Sequence, residues 1–243
     1  MPVVALFWDL SATCVQRLRA AGIVVVCQVG TLGEARVAES AGAQALIAQG
    51  VEAGGHVRGE RPLFELVAEI VEGVGLPVLA AGGITDGGDV ATVLSLGAQG
   101  AVLGTALIAT PEAFAHPYHM QRLVEAGDEE TVLTDVFHIN WPRGAKVRVL
   151  ANSVTRGERG NPFSEVRTII GEEEGRPIYL FNTDSPLRSM TGEFEAMALY
   201  AGKGVGRINA ILGASERVRA IVAEATALLE AGAEPVTPIS VQC

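Results

Sequence analysis

Ala48-Gln49-Gly50-Val51-Glu52-Ala53-Gly54-Gly55-His56-Val57-Arg58-Gly59 is the stretch on which the reading of this chain turns. An apolar run over 45–48 ends in the amide of Gln49. The ten residues after it hold four glycines, one carboxylate, one imidazole and one guanidinium. A core strand has no use for an amide at its tip, and an ordinary turn does not need so many glycines. Closely spaced glycines let a backbone adopt positive φ and approach a flat or charged ligand. His56, beside them, is the best proton-transfer candidate in the sequence. The stretch alone divides evenly between that reading and a flexible strand-to-helix loop with a solvated histidine.

Outward from this loop, one phrase recurs three times: Ala21-Gly22 before Ile23, Ala41-Gly42 before Ala43, and Leu96-Gly97 before Ala98. Each reads as a helix, a glycine stop and a buried strand. Strands are expected over 2–8, 23–29, 45–48, 77–81 and 101–103. Helices are expected over 14–21 after an entry at 9–11, over 31–41, over 62–72 and over 86–96. Thr31 and Glu34 form a capping-box pattern, and Asp86 is placed to cap its helix. Repeated βα crossovers imply a parallel sheet buried on both faces, an α/β fold of the TIM-barrel-like (β/α) kind.

Past about residue 125 the rhythm is lost. Strands are expected over 131–139 and 143–152, polar loops at 156–161 and 172–176, and helices over 194–205 and 215–229. The last helix is amphipathic through Val218, Ile221, Val222, Ala225 and Leu229. The division is then 1–125 as a (β/α) barrel portion, 126–190 as an inserted α+β segment, and 191–243 as C-terminal helices packing back on the barrel.

Bulk properties narrow the function. The 243 residues are 49% hydrophobic and 19% charged, which suits a globular fold. A net charge of −10 disfavours nucleic acid, whose phosphates need a basic face. Three cysteines, Cys14, Cys27 and Cys243, give neither a disulfide framework nor metal-ligand spacing, so a reducing cytoplasm is the expected compartment. No secretory signal pattern opens the chain. The uncharged stretch 90–111 is long enough to cross a bilayer, but its glycines and Gln99 read as helix, stop and strand, so no membrane is expected. A homo-oligomer is compatible with all of this.

Parallel α/β sheets collect ligands at the carboxyl ends of their strands. Gly82-Gly83 and Gly104-Thr105 are glycine-bearing tips on consecutive strands. Their peptide N–H groups, the Thr105 hydroxyl and the helix start near Asp86 form a ready phosphate cradle, or else permit tight helix–strand packing. A cradle beside Gln49 suits flavin mononucleotide, since an amide can hydrogen-bond ring heteroatoms. Glu52 is expected to fix the loop, by pairing with Arg58 or accepting peptide N–H groups. His116 and His119 read as surface or loop histidines, because Pro117 interrupts them. His138 reads as packed.

Together these residues resemble the nitronate monooxygenase family, FMN-dependent barrel enzymes. The resemblance rests on Gln49-Gly50-x-Glu52-Ala53-Gly54-Gly55-His56, then Ala80-Ala81-Gly82-Gly83-Ile84-x-Asp86-Gly87, then Leu96-Gly97-Ala98 to Gly104-Thr105. Tyr200-Ala201-Gly202-x-x-Val205-Gly206 is similar to a later motif of the same family. The resemblance implies oxidation of a nitronate or nitroalkane with O2 to a carbonyl compound and nitrite. His56 would be the base. Gln49, Gly54 and Gly55 would contact FMN, and Gly82, Gly83, Val102, Leu103, Gly104 and Thr105 would hold its phosphate end. Lys203 stands where the family usually has Gln. The family barrel has eight strands and five are legible here, the first resembling the family's fourth. The missing units would need roughly 90 residues. Either the gene product is shortened or a partner supplies the other wall. The alternatives are a flavin-dependent enoyl-acyl-carrier-protein reductase, which shares the Gly-Gly-His loop, and a non-catalytic flavin-binding remnant.

Overall fold

The structure, a computed structural model, describes residues 2–232, so Cys243 and the end of the expected C-terminal segment lie outside the described residues. In chain order the first half runs β1 (Val3–Leu6), α1 (Ala12–Ala20), β2 (Val24–Val29), α2 (Leu32–Ala41), β3 (Ala45–Gln49), β4 (Gly55–Val57), α3 (Leu63–Gly73), β5 (Val78–Ala81), α4 (Gly87–Ser95), β6 (Gly100–Val102) and α5 (Thr105–Ile108). The second half runs α6 (Pro117–Glu125), β7 (Thr131–Thr134), β8 (Lys146–Leu150), β9 (Ile169–Glu173), β10 (Arg176–Tyr179), β11 (Met190–Gly192) and α7 (Ala214–Glu230). Contacts group these into two compact units. Of the described residues, the first takes 2–51, 58–103 and 218–232, and the second takes 52–57 and 104–217.

The first unit is the expected α/β sheet. Five strands lie in the order β1-β2-β3-β5-β6, every neighbouring pair parallel, and the barrel does not close. Its local signals work as polypeptide chemistry requires. Ser11 accepts the Cys14 N–H and Thr31 the Glu34 N–H, each an N-cap oxygen filling an orphan donor. Glu34 reaches the Gly30 N–H at 2.8 Å, one residue short of the reciprocal bond of a capping box. Gly22, Gly42 and Gly97 close their helices at φ +74°, +98° and +93°, where a Cβ would be strained. Val25, Leu46, Leu66, Ile70, Val78 and Val93 form one buried core under the helices.

Helix α7 covers its neighbour with a narrower stripe than its pattern suggests. Ile221 and Ala225 are buried, whereas Val218, Val222 and Leu229 are exposed. At the contact, a Cβ on Gly87 would lie 2.5 Å from the Ala225 nitrogen and 2.6 Å from the Ile221 carbonyl oxygen.

The second unit is built on two antiparallel sheets, β4-β8-β7 and β10-β9-β11. Phe137, Val147, Val149, Ile170 and Met197 fill one core, and Leu123, Leu150, Leu199, Val205 and Ile208 another. Several expectations need correction here. Residues 172–176 are no plain loop: Glu174 (φ +49°) and Gly175 (φ +81°) form a two-residue turn joining β9 to β10. The helix expected over 194–205 is two short 3-10 turns, Phe194–Ala196 and Val205–Arg207, around an extended stretch. That stretch lies along β8, with Leu199 accepting the Leu150 N–H and Tyr200 bridged to Val149, so strand pairing overrides its helix-like spacing. The strand expected over 131–139 ends at Thr134, where the Thr134 hydroxyl takes the Val136 N–H and turns the chain.

Replacing Gly87 with Ala inserts a methyl group against main-chain atoms that cannot rotate away. Its expected cost is about 1–3 kcal/mol of overpacking, read as a lower urea midpoint. An unchanged midpoint would mean that α7 moves aside freely.

Candidate functional site

In the first unit the strand tips are level. Gln49 on β3 is the register partner of Ala81 on β5, and Ala81 is the partner of Val102 on β6. The chain therefore leaves all three strands along one row, and the Gly50 N–H donates to the Ala81 carbonyl at 2.9 Å. Gly82 and Gly83 follow at φ +115° and +72°, a turn closed to most side chains. Gln49 is 5% exposed, and its Oε1 lies 3.5 Å from the Arg58 nitrogen. A buried amide at the tip of a strand is oriented rather than solvated.

The helix start after Gly83 does not serve as a phosphate cradle. Asp86 accepts the Asp89 N–H at 3.0 Å, Asp89 accepts the Thr85 N–H at 2.8 Å, and Glu224 of α7 accepts the Gly87 N–H at 2.8 Å. Three carboxylates hold the donors that an anion would need, and their charge would repel it.

Arg58 binds Glu34 (Nε to Oε1, 2.5 Å) and lies 5.4 Å from the centroid of the Trp8 ring, so its carboxylate partner is on α2. The close approach of Gly59 is to Gly30: a Cβ on either would stand 2.5–2.6 Å from the other's backbone.

In the second unit, β4 carries His56. The glycine-rich stretch is no flexible loop at this point, because Gly55, His56 and Val57 pair antiparallel with Arg148, Val147 and Lys146 of β8. Gly54 is required by the chain itself: a Cβ there would meet the Ala201 carbonyl carbon and the Gly202 nitrogen at 2.6 Å. Gly55 sits at φ +77° with the Tyr200 ring 3.8 Å from where its Cβ would be. The Glu52 carbonyl accepts the Lys203 N–H at 2.9 Å. The Glu52 charge favours the cationic form of Arg148, a guanidinium that burial pulls below its usual range.

His56 is packed between two aromatic rings. Trp141 lies 3.9 Å away between centroids, tilted by 38°, and Tyr200 presents an edge at 5.8 Å. Burial pushes the imidazole down to about 4, so at neutral pH it is uncharged and able to accept a proton. Elsewhere in this unit the Thr105 hydroxyl oxygen takes the Gly202 N–H at 2.9 Å and keeps its own hydrogen to donate. A Cβ on Gly104 would meet nothing within 4 Å.

The other histidines differ from expectation. Pro117 does not separate His116 from a helix; it is the first residue of α6, and the His116 imidazole caps that helix through the Tyr118 N–H. His119 is no surface residue: it is 1% exposed on the inner face of α6. His138 is half-buried, with its ring against the exposed Phe163 and the buried Phe181. Among the described residues no group of histidine, cysteine or acidic side chains could hold a metal, and no helix is long and apolar enough to cross a membrane. Cys14 and Cys27 are free thiols. Sequence reasoning missed Trp141 and Arg148. Nothing in their spacing marks them, because only the β4–β8 pairing and the turn before β8 bring them to this strand.

The family model described as nitronate monooxygenase matches residues 2–224. A probable nitronate monooxygenase of Bacillus subtilis is 29% identical over 79% of this chain and 54% of its own length. One from Staphylococcus haemolyticus is 37% identical over 55% of this chain and 40% of its own. The chain thus spans about half the length of the curated relatives it matches. Among solved structures, nitroalkane oxidase from Streptomyces ansochromogenes superposes at TM-score 0.73 with 34% identity, over 96% of this chain and 66% of that one. FabK from Thermotoga maritima superposes at 0.77 with 27% identity, over 95% of this chain and 70% of that one.

A depressed histidine pKa fixes the sign of a pH effect. The unfolded chain binds the proton near 6.5 and the folded chain near 4 for both His56 and His119, so stability falls as pH drops through that window and is retained above it. Nuclear magnetic resonance titration should place His56 protonation near 4. A midpoint near 6.5 would mean an imidazole open to water.

Proposed function

The chain belongs to the nitronate monooxygenase family, and from that premise we propose that it oxidises nitronates or nitroalkanes with FMN and O2, His56 acting as base. The observation that carries this reading is a neutral imidazole fixed on a paired strand between two aromatic rings. FMN would supply the electron acceptance and the oxygen chemistry that no side chain provides.

The residues present fit that cofactor. Level tips at Gln49, Ala81 and Val102 offer a shared edge on adjacent strands. In this assignment Gln49, Gly54 and Gly55 would contact FMN, the Gln49 amide as a hydrogen-bonding partner of the ring. Gly82, Gly83, Val102, Leu103, Gly104 and Thr105 would hold its phosphate end, Gly104 offering open space and the Thr105 hydroxyl a hydrogen to donate. His56 removes the α-proton of a neutral nitroalkane onto a ring nitrogen, and Trp141 and Tyr200 exclude water from that nitrogen. A nitronate is already ionised and does not need this step. Carbonyl compound and nitrite then leave. Small substrates and O2 are the partners, and the reducing cytoplasm implied by the cysteine count is the compartment.

The likeness to FabK favours one second reading, a flavin-dependent enoyl-acyl-carrier-protein reductase. Rapid flavin reduction by NADH with enoyl-thioester turnover, and no response to nitronates, would select it. A chain that stays colourless with excess FMN would leave only a non-catalytic remnant.

The decisive experiment is FMN titration followed by absorbance, then turnover of nitroethane and of its nitronate. His56→Ala should still bind FMN and keep nitronate turnover while losing nitroethane turnover by about 10²-fold or more. Parent-rate nitroethane turnover would remove His56 from the role. Thr105→Val should weaken FMN binding by about 1–3 kcal/mol through the lost bond to a charged oxygen, and an unchanged affinity would rule that contact out.

A further inference from the structure

We propose that His119 is a positioning residue for His56, acting through Tyr200, which His119 and the 183–185 segment clamp at both ends. The inference takes His56 as the base, so it rests on the function proposed above.

Both nitrogens of His119 are engaged. Nε2 lies 3.0 Å from the Tyr200 carbonyl oxygen, and a carbonyl can only accept, so Nε2 carries the hydrogen. Nδ1 is then an acceptor, and it lies 3.3 Å from the Ser185 hydroxyl, which can donate. Only the neutral ring in this one tautomer meets both partners in these roles. At the other end of Tyr200, its phenol O–H donates to the Thr183 carbonyl. Thr183 and Ser185 are two residues apart, so the contacts close a ring: Thr183 to the Tyr200 hydroxyl, the Tyr200 carbonyl to His119, and His119 back to Ser185.

What this ring holds is the edge of Tyr200 against the His56 imidazole. Tyr200 is bridged to Val149 while His56 pairs with Val147, so their β8 partners are two residues apart. Packing alone does not account for His119. Met120 and Leu123 already bury α6, and a leucine would fill the same volume without burying two polar nitrogens. An imidazole bridging a carbonyl and a hydroxyl sets the spacing between two chain segments, which an apolar side chain cannot do.

The test compares His119→Leu, His119→Gln and Ser185→Ala in the full chain. The first readout is the His56 ring resonance without flavin, assigned by its loss in His56→Ala. The second is kcat and KM for nitroethane and its nitronate with FMN. His119→Leu should shift the His56 resonance and lower kcat on nitroethane at least 10-fold, with KM and nitronate turnover near the parent. His119→Gln, whose amide can still donate to the Tyr200 carbonyl, should restore most of both. Ser185→Ala should move the resonance in the same direction by less, and it decides the matter if His119→Leu does not fold. Folded His119→Leu or Ser185→Ala with an unmoved His56 resonance would overturn the proposal. If the parent oxidises no nitronate, the function fails separately, and the resonance still reports on the clamp.

Discussion

The pairing of Gly55–Val57 with β8 is the constraint on which the second unit depends. Three residues of strand are little on their own, but they convert a glycine-rich connection into a fixed mount for an imidazole. Once His56 is placed opposite Val147, its ring must share space with whatever else β8 carries. That set includes Tyr200, bridged two residues further along at Val149, and Trp141 from the turn that precedes β8. Desolvation by this packing keeps the imidazole neutral. The chemistry available at His56 is thus a consequence of strand pairing.

The glycines acquire a different meaning from the one their number suggests. Gly54 gives way to the main chain at 201–202, and Gly30 and Gly59 give way to each other. These positions are small so that backbone can meet backbone. Gly82 and Gly83 are glycine for their positive φ, and a Cβ on Gly104 would meet nothing within 4 Å. Carboxylates from Asp89, Glu224 and Asp86 have meanwhile taken the Thr85, Gly87 and Asp89 N–H groups around the start of α4. The helix start that the sequence advertises as an anion site is thus taken up by this chain's own carboxylates.

Much of the first unit was legible from sequence, because its signals are local. Helix caps at Ser11, Thr31 and Asp86, left-handed glycines at 22, 42 and 97, and β-branched runs each act within a few residues. The second unit was less legible because its structure is set at long range. Residues 197–200 have helix-like spacing yet run extended along β8, and the 172–176 loop turned out to be the tip of a hairpin. His119 looked superficial beside Pro117, although proline at a first helical turn is favourable and leaves the residues after it free to face inward. His56 was visible as a candidate from its neighbours, but its strand, its aromatic walls and its link to His119 come only from pairing.

Hydrogen exchange across residues 50–59 in the full chain tests this account most directly. The account predicts slow exchange at 55–57, matching that of 147–150, with faster exchange at the solvent-facing positions on either side. Exchange at 55–57 as fast as in an unpaired loop would contradict it, since His56 would then have no mount and no reason to be neutral.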